Sequence, residues 1–169
     1  MGRWRPPAAA SSAYITRAGF ERLNQELKGL WLRRRDVVKA LAAAAAEGDR
    51  SENAEYIYRK KELGGIDYRI RYLQRRIPKL KVIDQMANKT KVFFGAWVSL
   101  ECEDGTCVEY RIVGPDETDA AQENISMDSP LAKALMRKEV DDEVMLVTDE
   151  RRNSYLITGI RYENSEGAI

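Results

Sequence analysis

Two apolar seams of heptad spacing, separated by one glycine turn, leave this chain few ways to fold. In "ITRAGFERLNQELKGLWLRRRDVVKALAAAAAEG" apolar residues fall at Phe20, Leu23, Leu27, Leu30, Val37 and Leu41, with Arg34 filling the skipped seam position. After Gly48 the seam resumes at Leu63, Ile66, Ile70, Leu73, Ile77, Leu80 and Ile83. Alternating steps of three and four give the narrow stripe of a coiled coil, not the broad face of an ordinary amphipathic helix. Two such helices joined by a short turn fold back on each other as an antiparallel hairpin. About 30 residues at roughly 1.5 Å each make an arm of about 45 Å. That is longer than a small domain is wide, so its tip is expected to stand away from any compact core.

Two features disturb the second helix. Gly64-Gly65 lies inside it and costs about 1 kcal/mol per glycine relative to alanine. Pro78 should kink the helix or end it near Arg76, but the seam spacing continues past both features, so the helix is expected to run on with local weakness. From Lys91 the pattern changes to alternation. "KVFFGAWVSLECEDGTCVEYRIVG" reads as two strands joined at Asp104-Gly105, and "SMDSPLAKALMRKEV" as a short helix capped by Asp128 or Ser129 with Pro130 in its first turn. "DEVMLVTDERRNSYLITGIRYE" reads as two further strands around a polar turn. A two-residue turn would set Cys102 opposite Cys107, open to a cross-strand disulfide, although two reduced thiols are the plainer reading. The fold class is therefore α+β: a long antiparallel coiled-coil hairpin over 14–88, with its tip at 48–56, then a small sheet-plus-helix domain over 89–164. Residues 1–13 and 165–169 read as tails.

The total charge of +1 hides an asymmetry. Residues 1–91 hold 21 Lys and Arg against 10 Asp and Glu, whereas residues 92–169 hold 7 against 17. A basic half suits nucleic acid or an acidic channel, and equally a solvated, arginine-rich coiled-coil surface. No run of about 18 apolar residues is present to span a membrane, and the first residues lack the apolar core of a secretory signal.

The turn "AEGDRSENAEY" carries the chemistry. Asp49-Arg50-Ser51-Glu52 fits a capping box, with Asp49 as N-cap and Glu52 reaching back to it. Any helix can begin this way, and acids in a first turn also suit the helix dipole. Position adds a second reading. Two carboxylates three residues apart, at the end of a thin basic arm, are hard-oxygen ligands of the kind Mg²⁺ takes. They are too few for a complete cage and enough to finish a half-built one. Arg50, Arg59, Lys60 and Lys61 near the same end suit a phosphate backbone. The sequence contains no histidine and no phosphate-binding loop, which excludes serine–histidine and cysteine–histidine catalysis and P-loop chemistry.

"GDRSENAEY", "KKELGGIDYRIRYLQRRI", "KVFFGAWVSLE", "YRIVG" and "ISMDSPLAKALMRKEV" together resemble the bacterial transcript cleavage factors of the Gre family, from about Ile15 to Tyr162. The resemblance implies a coiled-coil domain followed by an FKBP-like domain without isomerase activity. It implies a cytoplasmic, monomeric partner of RNA polymerase that docks on the rim of the secondary channel and reaches the 3′ end of backtracked RNA. By motif match, Asp49 and Glu52 share a catalytic Mg²⁺ with the polymerase, no cofactor being bound by the factor alone. Ser51, Asn53, Glu55 and Tyr56 support the tip, and Asp128, Ser129 and Pro130 dock on the rim. The factor is then not an enzyme itself but an activator of the polymerase's own RNA hydrolysis. Two other readings stay open: a channel-binding regulator that does not stimulate cleavage, and a prolyl isomerase or coiled-coil chaperone.

Overall fold

The computed structural model describes residues 10–48, 52–84, 88–147 and 152–162. These form two compact units. One is Ala18–Leu80; the other combines the described residues up to Arg17 with those from Lys81 onward.

The first unit is the helical hairpin. Helix α1 runs from Arg17 to Ala46 and α2 from Ala54 to Arg76. The seam is buried as its spacing predicts. Val37, Ile66 and Ile70 form a cluster packed against Leu27, Leu30 and Leu63, and Leu23 and Leu73 are also buried. The seam has no apolar residue at Arg34 because that position is ionic: Arg34 Nε donates to Asp67 Oδ1 on the facing helix at 2.7 Å. Arg69 binds Glu26 through two hydrogen bonds of 2.6 and 2.9 Å, and Arg33 binds Glu62. Each such half-exposed pair contributes well under about 1 kcal/mol. Placed beside a seam, they select one register and one pairing of the two helices.

The second helix stops at the proline and does not follow the seam spacing on through Leu80 and Ile83 as expected. Arg76 is its last residue, and Ile77–Lys79, containing Pro78, form a single 3₁₀ turn. Pro78 has no N–H to continue the ladder, and the tighter turn reorients the chain without leaving a gap in it. Gly64 and Gly65 remain helical and exposed, and a Cβ built at either meets nothing.

The second unit is a five-stranded sheet ordered β5-β4-β3-β7-β6. Its strands are β3 (Trp97–Cys102), β4 (Cys107–Val113), β5 (Asn124–Ser126), β6 (Glu143–Val147) and β7 (Arg152–Arg161). All neighbours are antiparallel except β4 and β5. Val98, Leu100, Ile112, Val144 and Ile157 form the core on one face, closed by Ala132 and Leu135 of α3 (Pro130–Leu135). The hairpin between β3 and β4 differs from the expected two-residue turn. Glu101, not Cys102, stands opposite Cys107. The Cys102 N–H bonds Thr106 O, and Gly105 sits at φ 78°. A left-handed glycine after a tight turn adds one residue to one strand, which shifts the register and separates the two cysteines. Both thiols are free.

Strands β1 (Tyr14–Ile15) and β2 (Lys81–Val82) pair in parallel, although they lie 67 residues apart and flank the helical hairpin in the chain. The segment around Tyr14 passes so close to Gly114 that a Cβ there would lie 2.0 Å from the Tyr14 carbonyl oxygen, so no other residue fits at 114. The Tyr14 ring meets Phe94 edge-on at 5.9 Å.

Gly64→Ala and Gly65→Ala are each expected to stabilise the hairpin by about 1 kcal/mol, since both sites are helical, exposed and sterically open. Thermal melts followed by helical circular dichroism check this; a lower midpoint for either variant contradicts it.

Candidate functional site

Among the described residues, one side chain bonds both helix ends at the turn. Asn53 is the N-cap of α2: its Oδ1 accepts from the Tyr56 N–H at 3.0 Å. Its Nδ2 donates to the Ala44 carbonyl at 2.8 Å. The first bond satisfies a donor left over at the start of α2. The second adds to the Ala44 carbonyl at the end of α1, which among the described residues otherwise takes only a long 3.3 Å bond from the Glu47 N–H. One amide thus ties both helix ends together, using the two functions a carboxylate cannot combine. This corrects the expected capping box. The cap is Asn53 and not Asp49, and Glu52 lies ahead of the helix, not in its first turn. Several residues of "GDRSEN" are competent caps, and Asn53 is the one seen, among the described residues, to cap α2 and also donate to α1. Asp49, Arg50 and Ser51 lie outside the described residues.

The acids and bases around this turn are not equivalent. Glu52 is exposed and lies just before the cap. Glu55 already accepts from Arg59 Nε at 2.7 Å, and Arg59 also reaches Glu62 at 3.1 Å. Glu62 in turn binds Arg33 from α1. Hydrogen bonding from Arg33 holds the Glu62 carboxyl below its ordinary value, and the bond to Glu55 holds Arg59 above its own. Arg59, expected as a cation for RNA, is therefore tied into a charge-balanced chain of four side chains. Lys60 and Lys61 are exposed. Tyr56 contributes its backbone N–H, and its side chain is half-buried.

The Asp128-Ser129-Pro130 segment belongs to the other unit. Ser129 caps α3, accepting from the Ala132 N–H, and Pro130 fills the first helical position. Asp128 is held from within the molecule. Its carboxylate accepts from the Ser12 N–H at 2.8 Å and from the Ser12 hydroxyl at 2.5 Å. Of the three residues, Pro130 is the exposed one. Ser12 falls in the segment expected to be a tail, so that segment is anchored at least from this residue onward.

A second carboxylate holds the same segment. Glu117 is only 4% exposed, the one buried charged residue among those described. Its Oε2 accepts from the Thr16 N–H at 2.9 Å and the Gly114 N–H at 3.1 Å, while the Thr16 hydroxyl donates to Oε1. Neither Glu117 nor Ser12 stood out in the sequence. Their partners lie 101 and 116 residues away, and no local motif marks such a pairing.

Known proteins match both parts of the chain. Residues 13–82 match the family described as "Transcription elongation factor, N-terminal", and residues 87–162 match "Transcription elongation factor, GreA/GreB, C-term". The chain is 54% identical over 165 residues to Transcription elongation factor GreB of Xanthomonas axonopodis pv. citri, covering 96% of this chain and 98% of that one. It is 51% identical over 164 residues to Transcription elongation factor GreB of Pseudomonas aeruginosa, with the same coverage of 96% and 98%. Among solved structures, the transcription factor Gfh1 is 26% identical, with 90% of this chain and 99% of that one covered at a TM-score of 0.44.

Two outcomes follow from the geometry. Asn53→Ala is expected to destabilise the hairpin by about 1 kcal/mol, since it removes a cap and a cross-turn bond together; Asn53→Asp recovers only the capping half. Ser12→Ala and Asp128→Ala are expected to be non-additive, with a coupling of about 1 kcal/mol in a double-mutant cycle read by denaturant unfolding. Additive effects would mean that the contact contributes nothing in solution.

Proposed function

The chain belongs to the GreA/GreB family of transcription elongation factors, and from that premise we propose that it rescues RNA polymerase halted by backtracking. In this reading the helical hairpin enters the secondary channel of the polymerase, and the sheet unit docks on the channel rim through the Asp128–Pro130 segment. The factor then stimulates the polymerase's own endonucleolytic cleavage of the extruded 3′ end, working in the cytoplasm as a monomer. Among the described residues, no helix is long and apolar enough to cross a membrane.

The observation that carries this reading is the position of Glu52. It is exposed and precedes the helix cap, while the neighbouring Glu55 is occupied by Arg59. Among the described residues no ion pair occupies Glu52, so its carboxylate is open to another molecule's site. With Asp49 it would supply one or two oxygens, the share of a Mg²⁺ shell that protein usually fills. A Mg²⁺ bound there together with polymerase ligands would polarise the scissile phosphate and favour ionisation of the attacking water. The chain's own contribution would be to carry those carboxylates at the end of the hairpin and to orient the water through them. Asn53 keeps the turn closed while it does so.

Support for an FKBP-like reading of the second unit comes from its five-stranded sheet, antiparallel but for one edge, packed against a single short helix. Its expected role is docking and not prolyl isomerisation.

Glu52→Gln and Asp49→Asn are expected to lower stimulated cleavage of a stalled elongation complex by roughly 100-fold, the scale of losing one preorganised charge-stabilising group. Binding to polymerase stays nearly intact. Undiminished cleavage in both variants sinks the assignment. The free protein is expected to bind Mg²⁺ too weakly for a titration isotherm; a tight isotherm contradicts the shared site.

A further inference from the structure

Tyr58 lies on the first turns of α2, six residues beyond Glu52, and is 59% exposed. A ring left this open presents a π-face to whatever approaches the end of the hairpin. Beside it the Arg59 guanidinium carbon lies over the ring, 5.4 Å from its centroid. That guanidinium also bonds Glu55 and Glu62 at 2.7 and 3.1 Å, and Arg33 bonds Glu62 from α1, which favours its place beside the ring. The ring is thus flanked by a planar cation, while much of its surface stays open to solvent.

The surrounding charge narrows what can occupy that surface. The chain Glu55, Arg59, Glu62 and Arg33 is balanced, two anions against two cations, so it neither repels nor captures a phosphate. Lys61 is exposed and sits three residues after Tyr58, a neighbour on the same helix face. A flat π-surface with an ammonium beside it matches one ligand in both parts: a nucleotide, with its base on the ring and its phosphate at the lysine. Such a base must be out of a duplex stack, since inside a duplex both faces are covered by neighbouring bases, and single-stranded nucleic acid meets that condition. Tyr68 is still more exposed at 68%, but it lies ten residues further from Glu52 along the helix.

We propose that Tyr58 is a stacking platform for an unpaired base of the extruded RNA 3′ end, with Lys61 on the adjoining phosphate. The proposal rests on the cleavage reading for the identity of the nucleic acid. It changes the part played by Arg59, which stiffens the platform from beside the ring and does not itself bind phosphate. It also gives the tip a means of fixing the RNA relative to Glu52, since a stacked base sets where the scissile bond falls.

The test uses a backtracked elongation complex whose RNA ends in 2-aminopurine, a base that loses fluorescence on stacking. With Glu52→Gln present to prevent turnover, addition of the factor is expected to quench the signal. Quenching is expected to persist in Tyr58→Phe and to be lost in Tyr58→Leu. With Glu52 intact, Tyr58→Leu is expected to slow cleavage about tenfold or more, the range of one lost base–aromatic stack, and Tyr58→Phe to cleave at the normal rate. Equal quenching in the Phe and Leu variants, or none in any, overturns the platform. So does a loss on Lys61→Ala with none on Tyr58→Leu, which would mark an ionic contact with the polymerase. Cleavage without quenching removes the platform alone; quenching without cleavage leaves the platform and removes the cleavage reading.

Discussion

The Glu117 carboxylate is the group on which the sheet unit most depends. Burying an ionised carboxyl is unfavourable unless its oxygens are met by donors, and an unmet one is far more costly than a lost surface contact. Here both oxygens are met: Gly114 and Thr16 donate through the backbone, and Thr16 again through its hydroxyl. Two of those donors come from a segment more than 100 residues earlier in the chain. The sheet unit is therefore completed only when that segment is in place. Around the same contact lie the close passage at Gly114, the parallel pairing of β1 with β2, and the grip of Asp128 on Ser12. Each is modest alone, and they constrain the same few residues.

The hairpin works by a different principle. Its apolar seam is thin, and its specificity comes from ion pairs placed along the edge, with Arg34 and Asp67 standing where a leucine would otherwise sit. At the turn, ionic and capping interactions divide the polar residues into two classes. Asn53, Glu55, Arg59 and Glu62 are used by the protein itself. Glu52, Lys60, Lys61 and Tyr58 are left exposed. The functional reading rests on that division more than on the number of acids present.

The hairpin seam was legible in the sequence because periodicity is local: the spacing of Leu27, Leu30, Ile66 and Ile70 needs no knowledge of the rest of the chain. The cap at Ser129 was legible for the same reason, whereas the stop at Pro78 was masked by apolar spacing that carries on to Leu80 and Ile83. The cap at the turn was misplaced because Asp49 and Asn53 are both competent, and the choice is made by the Ala44 carbonyl, a partner on the other helix. The cysteine register slipped by one residue because an Asp-Gly pair serves two turn types, and only the backbone at Gly105 distinguishes them. Glu117 and Ser12 were invisible, since a contact across a hundred residues leaves no mark on either neighbourhood. The family was legible from its motifs, which preserve chemistry whose long-range partners no spacing argument reveals.

The parallel pairing of β1 with β2 makes Ala18–Leu80 an insertion within the sheet unit, not a domain that precedes it. The chain leaves at one strand and returns at its neighbour, so both ends of the inserted piece are fixed by the same two-strand clasp. A hairpin of another length or another tip chemistry can be exchanged at that clasp without disturbing the sheet, provided its two ends arrive side by side. Cutting the chain after the helices does not divide it cleanly, because the fragment left behind loses β1 and exposes a buried carboxylate without its donors. A graft across residues 17 and 81 follows the joint that the fold itself uses.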